Sequence, residues 1–128
     1  MAEEYCILME NISKSYAGVE ALDHVDIGIR KGEVHCLIGE NGSGKSTMIK
    51  IIAGVVTPNR GARITINGKH YPKLTPIDSM RQGIQIIYQD LSLFPNMTVA
   101  ENIAINQLLE SNTQAVTTKK IEQIAKNA

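Results

Sequence analysis

The sequence contains no tryptophan, one phenylalanine and four tyrosines among its 128 residues, so aliphatic side chains and methionine must build the core. It also has no excess of either charge, because 13 Lys and Arg balance 13 Asp and Glu. Without a basic surplus, the composition does not favour nonspecific binding to nucleic acid or to anionic lipid, and we expect no nucleic-acid partner. The hydrophobic share, 43%, is typical of a globular domain.

Long apolar runs and paired cysteines are missing as well. No segment approaches the roughly 18 consecutive apolar residues that cross a bilayer, and the N-terminus is acidic where a secretion signal would be basic. We therefore expect a cytoplasmic chain. Cys6 and Cys36 both lie in apolar runs, without a second cysteine at a metal-ligand spacing. This pattern favours buried, reduced thiols over a disulfide or a zinc site.

The periodicity of the apolar residues predicts both strands and helices. Alternation over residues 23–30 indicates a strand with one solvated face, and residues 6–9 are its expected antiparallel partner. A nearly continuous apolar run at 34–38 predicts a strand covered on both faces, and residues 84–88 are a second, largely buried strand candidate. Capping and turn residues predict a hairpin at Asn67-Gly68 and helices that begin near Thr75 and Thr98. Apolar spacing predicts a helix from about Lys45 with Val55 on its apolar face, and a helical stripe over residues 121–128. The fold class expected from these elements is α/β.

A glycine-rich segment, GENGSGKST at residues 39–47, separates the predicted strand 34–38 from the helix that follows it. It matches G-x-x-x-x-G-K-[ST], in which glycines let amide groups converge on phosphate oxygens at the start of a helix. Lys45 is predicted to contact the β- and γ-phosphates, Ser46 to ligate Mg²⁺, and Thr47 to bond the α-phosphate. The residues predicted to bind the nucleotide here are Gly39, Glu40, Asn41, Gly42, Ser43, Gly44, Lys45, Ser46 and Thr47.

The sequence of this loop resembles that of ATP-binding-cassette (ABC) proteins, and so do the segments ALDHV at 21–25 and KGE at 31–33. In that family an aromatic side chain upstream of the loop stacks on adenine, and the matching residue is Tyr16. The segment IIYQD at 86–90 resembles the glutamine loop of the family. The resemblance implies that Gln89 is a catalytic residue, which reaches Mg²⁺ or the attacking water and senses a transmembrane partner.

More narrowly, GVEAL at 18–22, GEN at 39–41 and QDLSL at 89–93 are similar to the first cassette of sugar importers of the ribose, galactose and xylose type. This resemblance implies an ATP hydrolase on the inner face of the cell membrane that energises sugar import, with ATP and Mg²⁺ as cofactors. The implied partners are transmembrane permease subunits, a second cassette and, indirectly, a periplasmic sugar-binding protein.

Three motifs of the family do not occur in the sequence: the signature motif, an acidic strand end of the Walker B type, and a histidine after His70. We therefore expect residues 1–128 to be the N-terminal half of one nucleotide-binding domain, with Walker A at 39–47, a glutamine loop around 89 and the start of a helical subdomain at about 98–128. The implied fold is a P-loop NTPase core with an antiparallel β subdomain, truncated before the signature helix and the Walker B strand. Such a piece is not expected to turn over ATP unaided.

Three alternatives remain open from the sequence. A GTPase-like switch would use Asp90 as a metal ligand, but the residues after Asp90 lack the glycine of a γ-phosphate sensor and no Asn-Lys-x-Asp motif is present. A soluble ABC ATPase without a transport role would share the same loop. A structural or regulatory fragment could bind nucleotide without any catalytic duty.

Overall fold

The computed structural model describes residues 5–87, 93–110 and 117–128. The chain divides into two compact units, the first ending at Ile86 and the second beginning at Ile87. Within the described residues, none of the helices has both the length and the apolar character that crossing a bilayer requires.

The first unit opens with two long strands, β1 (Tyr5–Tyr16) and β2 (Val19–Arg30), which pair antiparallel. This confirms the predicted antiparallel pair, although both strands are longer than the alternation indicated. A second hairpin, β3 (Arg63–Ile66) and β4 (Lys69–Tyr71), joins β1 through β3 and gives the strand order β2-β1-β3-β4. Its turn residues Asn67 and Gly68 have φ of 49° and 77°, as the predicted Asn-Gly hairpin requires.

One helix, α1 (Lys45–Ile52), packs on this antiparallel sheet and forms the core with it. The predicted helix after the glycine-rich loop is therefore confirmed, except that Val55 lies beyond its end and is exposed. The core consists of aliphatic side chains and methionine, as the composition predicted, with the ring of Tyr71 as an unpredicted addition. Its buried side chains are Met9, Ile12, Leu22, Met48, Ile51, Ile52, Ile64, Ile66, Tyr71 and Leu74.

Helix starts are set by the predicted capping residues. The short helix α2 (Pro76–Arg81) begins after Thr75, whose side chain and that of Asp78 satisfy each other's backbone amides. In the second unit, α3 (Val99–Glu110) begins after Thr98, which forms the same reciprocal pair with Glu101. The last helix is α4 (Thr118–Asn127), which contacts α3.

The two buried strands predicted at 34–38 and 84–88 are not strands in the described part of the chain. Residues 33–40 have no regular structure, and Val34 and Ile38 are 92% and 90% exposed. Residues 84–87 are likewise irregular, with Ile87 exposed, and residue 88 lies outside the described residues. A strand of this kind requires hydrogen-bonded neighbours, and every strand pairing among the described residues falls within β1–β4.

The prediction for the two cysteines is half correct. Both thiols are free, as expected. Cys6 is half-buried and its thiol donates to the carbonyl oxygen of Ile29 at 3.2 Å, whereas Cys36 is exposed because it belongs to the irregular segment 33–40.

Candidate functional site

The glycine-rich loop leads directly into α1, and its backbone conformation explains its sequence. Gly42 and Gly44 have φ of 86° and 84°, a region that costs other residues about 1–2 kcal/mol. Gly44 is also the N-cap of α1, and no side chain caps this helix start. The amides of the first turn are therefore directed at the loop without a protein side chain that competes for them.

The loop is also closed tightly against β2. A Cβ atom on Gly44 would collide with the backbone carbonyl of Ala21 and lie 2.6 Å from Cδ2 of Leu22. On Gly39, at the other end of the loop, a Cβ atom would lie 2.5 Å from Oγ of Ser43. Position 44 therefore requires glycine because backbone blocks a side chain there, whereas at Gly39 the obstructing group is a serine hydroxyl that can rotate.

Lys45, the first residue of α1, places its ammonium group in the centre of the loop. Its Nζ donates to the carbonyl oxygens of Gly39 at 2.6 Å and Glu40 at 2.5 Å, and to Oγ of Ser43 at 3.1 Å. These partners are neutral, whereas an anion would add the Coulomb attraction between two opposite charges. The ammonium group is therefore held where a phosphate group could compete for it.

The N-terminus of α1 adds a second attraction for an anion. The first intrahelical bond runs from the amide of Met48 to the carbonyl of Gly44 at 2.9 Å, so the amides of residues 45–47 have no partner within the helix. The first turn contains no acidic residue, and the helix dipole contributes about half a positive charge there. Cation, amides and glycine backbone together fit a polyphosphate.

Tyr16 lies at the end of β1, on the same part of the sheet as the loop. It is 45% exposed, and its neighbour two positions earlier, Lys14, pairs in the ladder with Leu22. Leu22 lies where a Cβ atom on Gly44 would sit, and Tyr16 is two residues, about 7 Å, along β1 from the position opposite Leu22. The structure thus brings Tyr16 and the phosphate loop to one end of the sheet.

Comparison with known proteins agrees with this geometry. Residues 22–128 match the profile of the family described as "ABC transporter". This chain belongs to the ABC transporter family.

Curated relatives of this ABC family chain carry the names of sugar-import proteins. It is 52% identical over 103 residues to a ribose/galactose/methyl galactoside import ATP-binding protein of Burkholderia cenocepacia, covering 80% of this chain and 20% of that protein. It is 47% identical over 98 residues to "Ribose import ATP-binding protein RbsA 1" of Mesorhizobium japonicum, covering 77% and 19%. The chain thus spans about a fifth of the length of these relatives.

Solved structures show the fold. A nucleotide-free ATP-binding cassette from an ABC transporter superposes with a TM-score of 0.74 at 29% identity, over 93% of this chain and 51% of the other. The ADP conformation of MJ1267, another ABC cassette, gives a TM-score of 0.72 at 30% identity, over 92% and 50%. The predicted fold, a P-loop NTPase core with an antiparallel β subdomain, is confirmed, although the described strands are all antiparallel.

The remaining predicted site residues of this ABC chain are placed as follows. Glu40 contributes its carbonyl oxygen to Lys45, and Asn41 is exposed in the loop. Ser46 is exposed on the first turn of α1, and Thr47 is half-buried beside it. Gln89 and Asp90 lie outside the described residues, so the role of Gln89 stays a prediction.

One residue beside the site was missed by the sequence reasoning. The ammonium group of Lys14 lies 5.3 Å from the centroid of the Tyr16 ring. Alternation along a strand places residues 14 and 16 on the same face, and this was the sequence feature that indicated Lys14 could lie near Tyr16. The spacing alone did not indicate that the lysine would be held there.

Proposed function

We propose that this chain is the MgATP-binding, N-terminal part of a nucleotide-binding domain in an ABC transporter that energises sugar import. The observation that carries the proposal is the ammonium group of Lys45, held in the centre of a glycine loop at the uncapped start of α1. The printed names of the curated relatives, which are import ATP-binding proteins for ribose and galactose, support the substrate class.

Different residues of the loop bind different parts of MgATP. The amides of residues 45–47 would donate to the phosphate oxygens, and Lys45 would supply the positive charge for the β- and γ-phosphates. Ser46, exposed on the first turn, presents its hydroxyl to Mg²⁺, and Thr47 bonds the α-phosphate. When bound, Mg²⁺ neutralises charge that develops on the phosphates.

The base and the catalytic glutamine complete the proposed site. Tyr16 offers an exposed ring for adenine at the end of the sheet where the loop lies. Gln89 is proposed as the catalytic residue and second magnesium ligand, because a glutamine carbonyl is a neutral oxygen donor for a hard cation.

The arrangement of the whole protein is also part of the proposal. Residues 1–128 form the N-terminal half of the domain, with Walker A at 39–47, the glutamine loop around 89 and the helical subdomain starting at about 98–128. ATP bound between this cassette and a second one favours the closed state by its differential affinity, and closure moves the permease. A periplasmic sugar-binding protein acts indirectly, and the cassette lies on the inner face of the cell membrane. The names of the relatives do not favour the GTPase-like or the soluble alternative.

The test of this proposal is the affinity for ATP of the full chain and of its Lys45→Ala variant, measured by isothermal titration calorimetry. A charged hydrogen-bond donor contributes about 1.5–3 kcal/mol, so we expect Lys45→Ala to weaken ATP binding about ten- to one-hundredfold. Lys73→Ala removes an exposed lysine outside the loop and is the control that should leave the affinity unchanged. Equal affinities for wild type and Lys45→Ala would contradict the proposal.

A further inference from the structure

We propose that Lys14 is a positioning residue for the nucleotide base: it covers one face of the Tyr16 ring, so that adenine stacks on the opposite face. This inference rests on the proposed function of the loop and of Tyr16, and it assigns to Lys14 a role that neither the loop motif nor the aromatic residue supplies. It is carried by the position of the ammonium group, by the contact that holds it there, and by a contrasting pair in the same sheet.

The first observation is the stacking geometry. The Nζ atom of Lys14 lies 5.3 Å from the centroid of the Tyr16 ring, within the distance at which a cation is attracted by a ring face. Lys14 is half-buried, whereas Tyr16 is 45% exposed. One face of the ring is therefore in contact with protein, and the ring keeps enough open surface to receive a flat ligand.

The second observation is a tether that fixes the lysine. Its Nζ donates to the carbonyl oxygen of Thr57 at 2.8 Å, in the segment that follows α1. This segment is itself tied to β1, since the amide of Asn59 donates to the carbonyl of Ser13 at 2.8 Å and its Nδ2 donates to Oγ of Ser15 at 3.3 Å. The ammonium group is thus anchored on a segment that is bonded to the strand on either side of it.

A tethered cation lowers the cost of ordering the ring. A free tyrosine at a strand end rotates about its χ1 angle, and binding must then immobilise it. With Lys14 in place, the ring is already oriented before the base arrives. Loss of this contact should weaken the binding of a ligand that uses the ring, and leave unchanged a ligand that binds the phosphate loop alone.

A second lysine and tyrosine pair in the sheet provides a matched control. In β4 the Nζ atom of Lys69 lies 5.0 Å from the centroid of the Tyr71 ring, with the same spacing of two residues along a strand. Tyr71, however, is only 6% exposed and belongs to the core. Its ring has no free face for a ligand, so removing Lys69 breaks an equivalent contact without affecting a base.

The experiment compares the binding of ATP and of inorganic triphosphate to the full chain by isothermal titration calorimetry. For Lys14→Met we expect ATP affinity to fall about two- to fivefold while the affinity for triphosphate stays the same. Lys14→Arg should retain the wild-type preference for ATP, because a guanidinium group also stacks on aromatic faces. Lys69→Met should change neither affinity.

Coupling between the two residues is tested in the Tyr16→Ala background, where Lys14→Met should have no further effect on ATP. Equal losses for ATP and triphosphate would overturn the inference, since they would show a general effect of charge. Unchanged ATP affinity in Lys14→Met, or an undiminished effect without the Tyr16 ring, would overturn it as well. If Tyr16→Ala weakens the binding of ATP and of triphosphate equally, Tyr16 does not bind adenine. If Tyr16→Ala weakens only ATP binding and Lys14→Met leaves ATP binding unchanged, only the positioning role of Lys14 is refuted.

Discussion

Replacing Gly44 by alanine tests whether the phosphate loop is held by its close approach to β2. The left-handed backbone at this position costs alanine about 1–2 kcal/mol, and forcing a methyl group into a packed site adds about 1–3 kcal/mol. The obstructing group is the carbonyl of Ala21, a backbone atom between two residues that pair with β1, so it moves aside less easily than a side chain would. We therefore expect Gly44→Ala to lower the free energy of unfolding by about 2–5 kcal/mol.

The measurement is urea-induced unfolding followed by circular dichroism, with Gly68→Ala as the matched control. Gly68 has a similar φ of 77°, but no atom lies within 4 Å of the position that its Cβ would take. Gly68→Ala should lower the free energy of unfolding by only about 1–2 kcal/mol, the cost of the left-handed backbone, with a similar dependence on urea concentration. If Gly44→Ala destabilises the chain no more than Gly68→Ala does, the reasoning about close approach is refuted.

Two further predictions concern side chains that hold helix starts. The hydrogen bond from the Thr75 hydroxyl lowers the pKa of Asp78 below its ordinary value of 3.8, so its stabilisation is present above that value and is lost as the pH falls through the lower folded pKa. Acid unfolding should therefore begin at higher pH in Thr75→Val, and an unchanged acid transition would contradict this. The Asn102 side chain accepts from the amide of Phe94 at 2.8 Å and donates to the carbonyl of Thr98 at 3.0 Å. In Asn102→Ala, hydrogen exchange of the Phe94 amide should accelerate, whereas in Asn102→Asp, which keeps the acceptor, it should stay protected; equal rates in both variants would exclude this role.

Much of the fold could be predicted from the sequence because turns and helix starts are determined by residues close together in the chain. The Asn67-Gly68 turn and the helix starts at Thr75 and Thr98 depend on contacts within three or four residues. The phosphate loop belongs to this class too, since its conformation follows from glycine spacing and from the helix that begins at Lys45. These features could be read directly from the sequence.

Features that depend on distant partners could not be read in this way. An apolar run such as residues 34–38 shows that a segment favours burial, but a strand also needs neighbours, and those are absent among the described pairings. The role of Lys14 was hidden for a related reason. Its contact with the Tyr16 ring matters because Thr57, 43 residues away in the sequence, holds the ammonium group.

The irregular segment 33–40 has a consequence for handling the chain in solution. Its exposed apolar side chains, Val34 and Ile38 among them, form a surface that favours self-association. The same stretch runs into Gly39, the first residue of the phosphate loop. Self-association through this segment would place a second copy beside the phosphate loop, and it should increase with protein concentration.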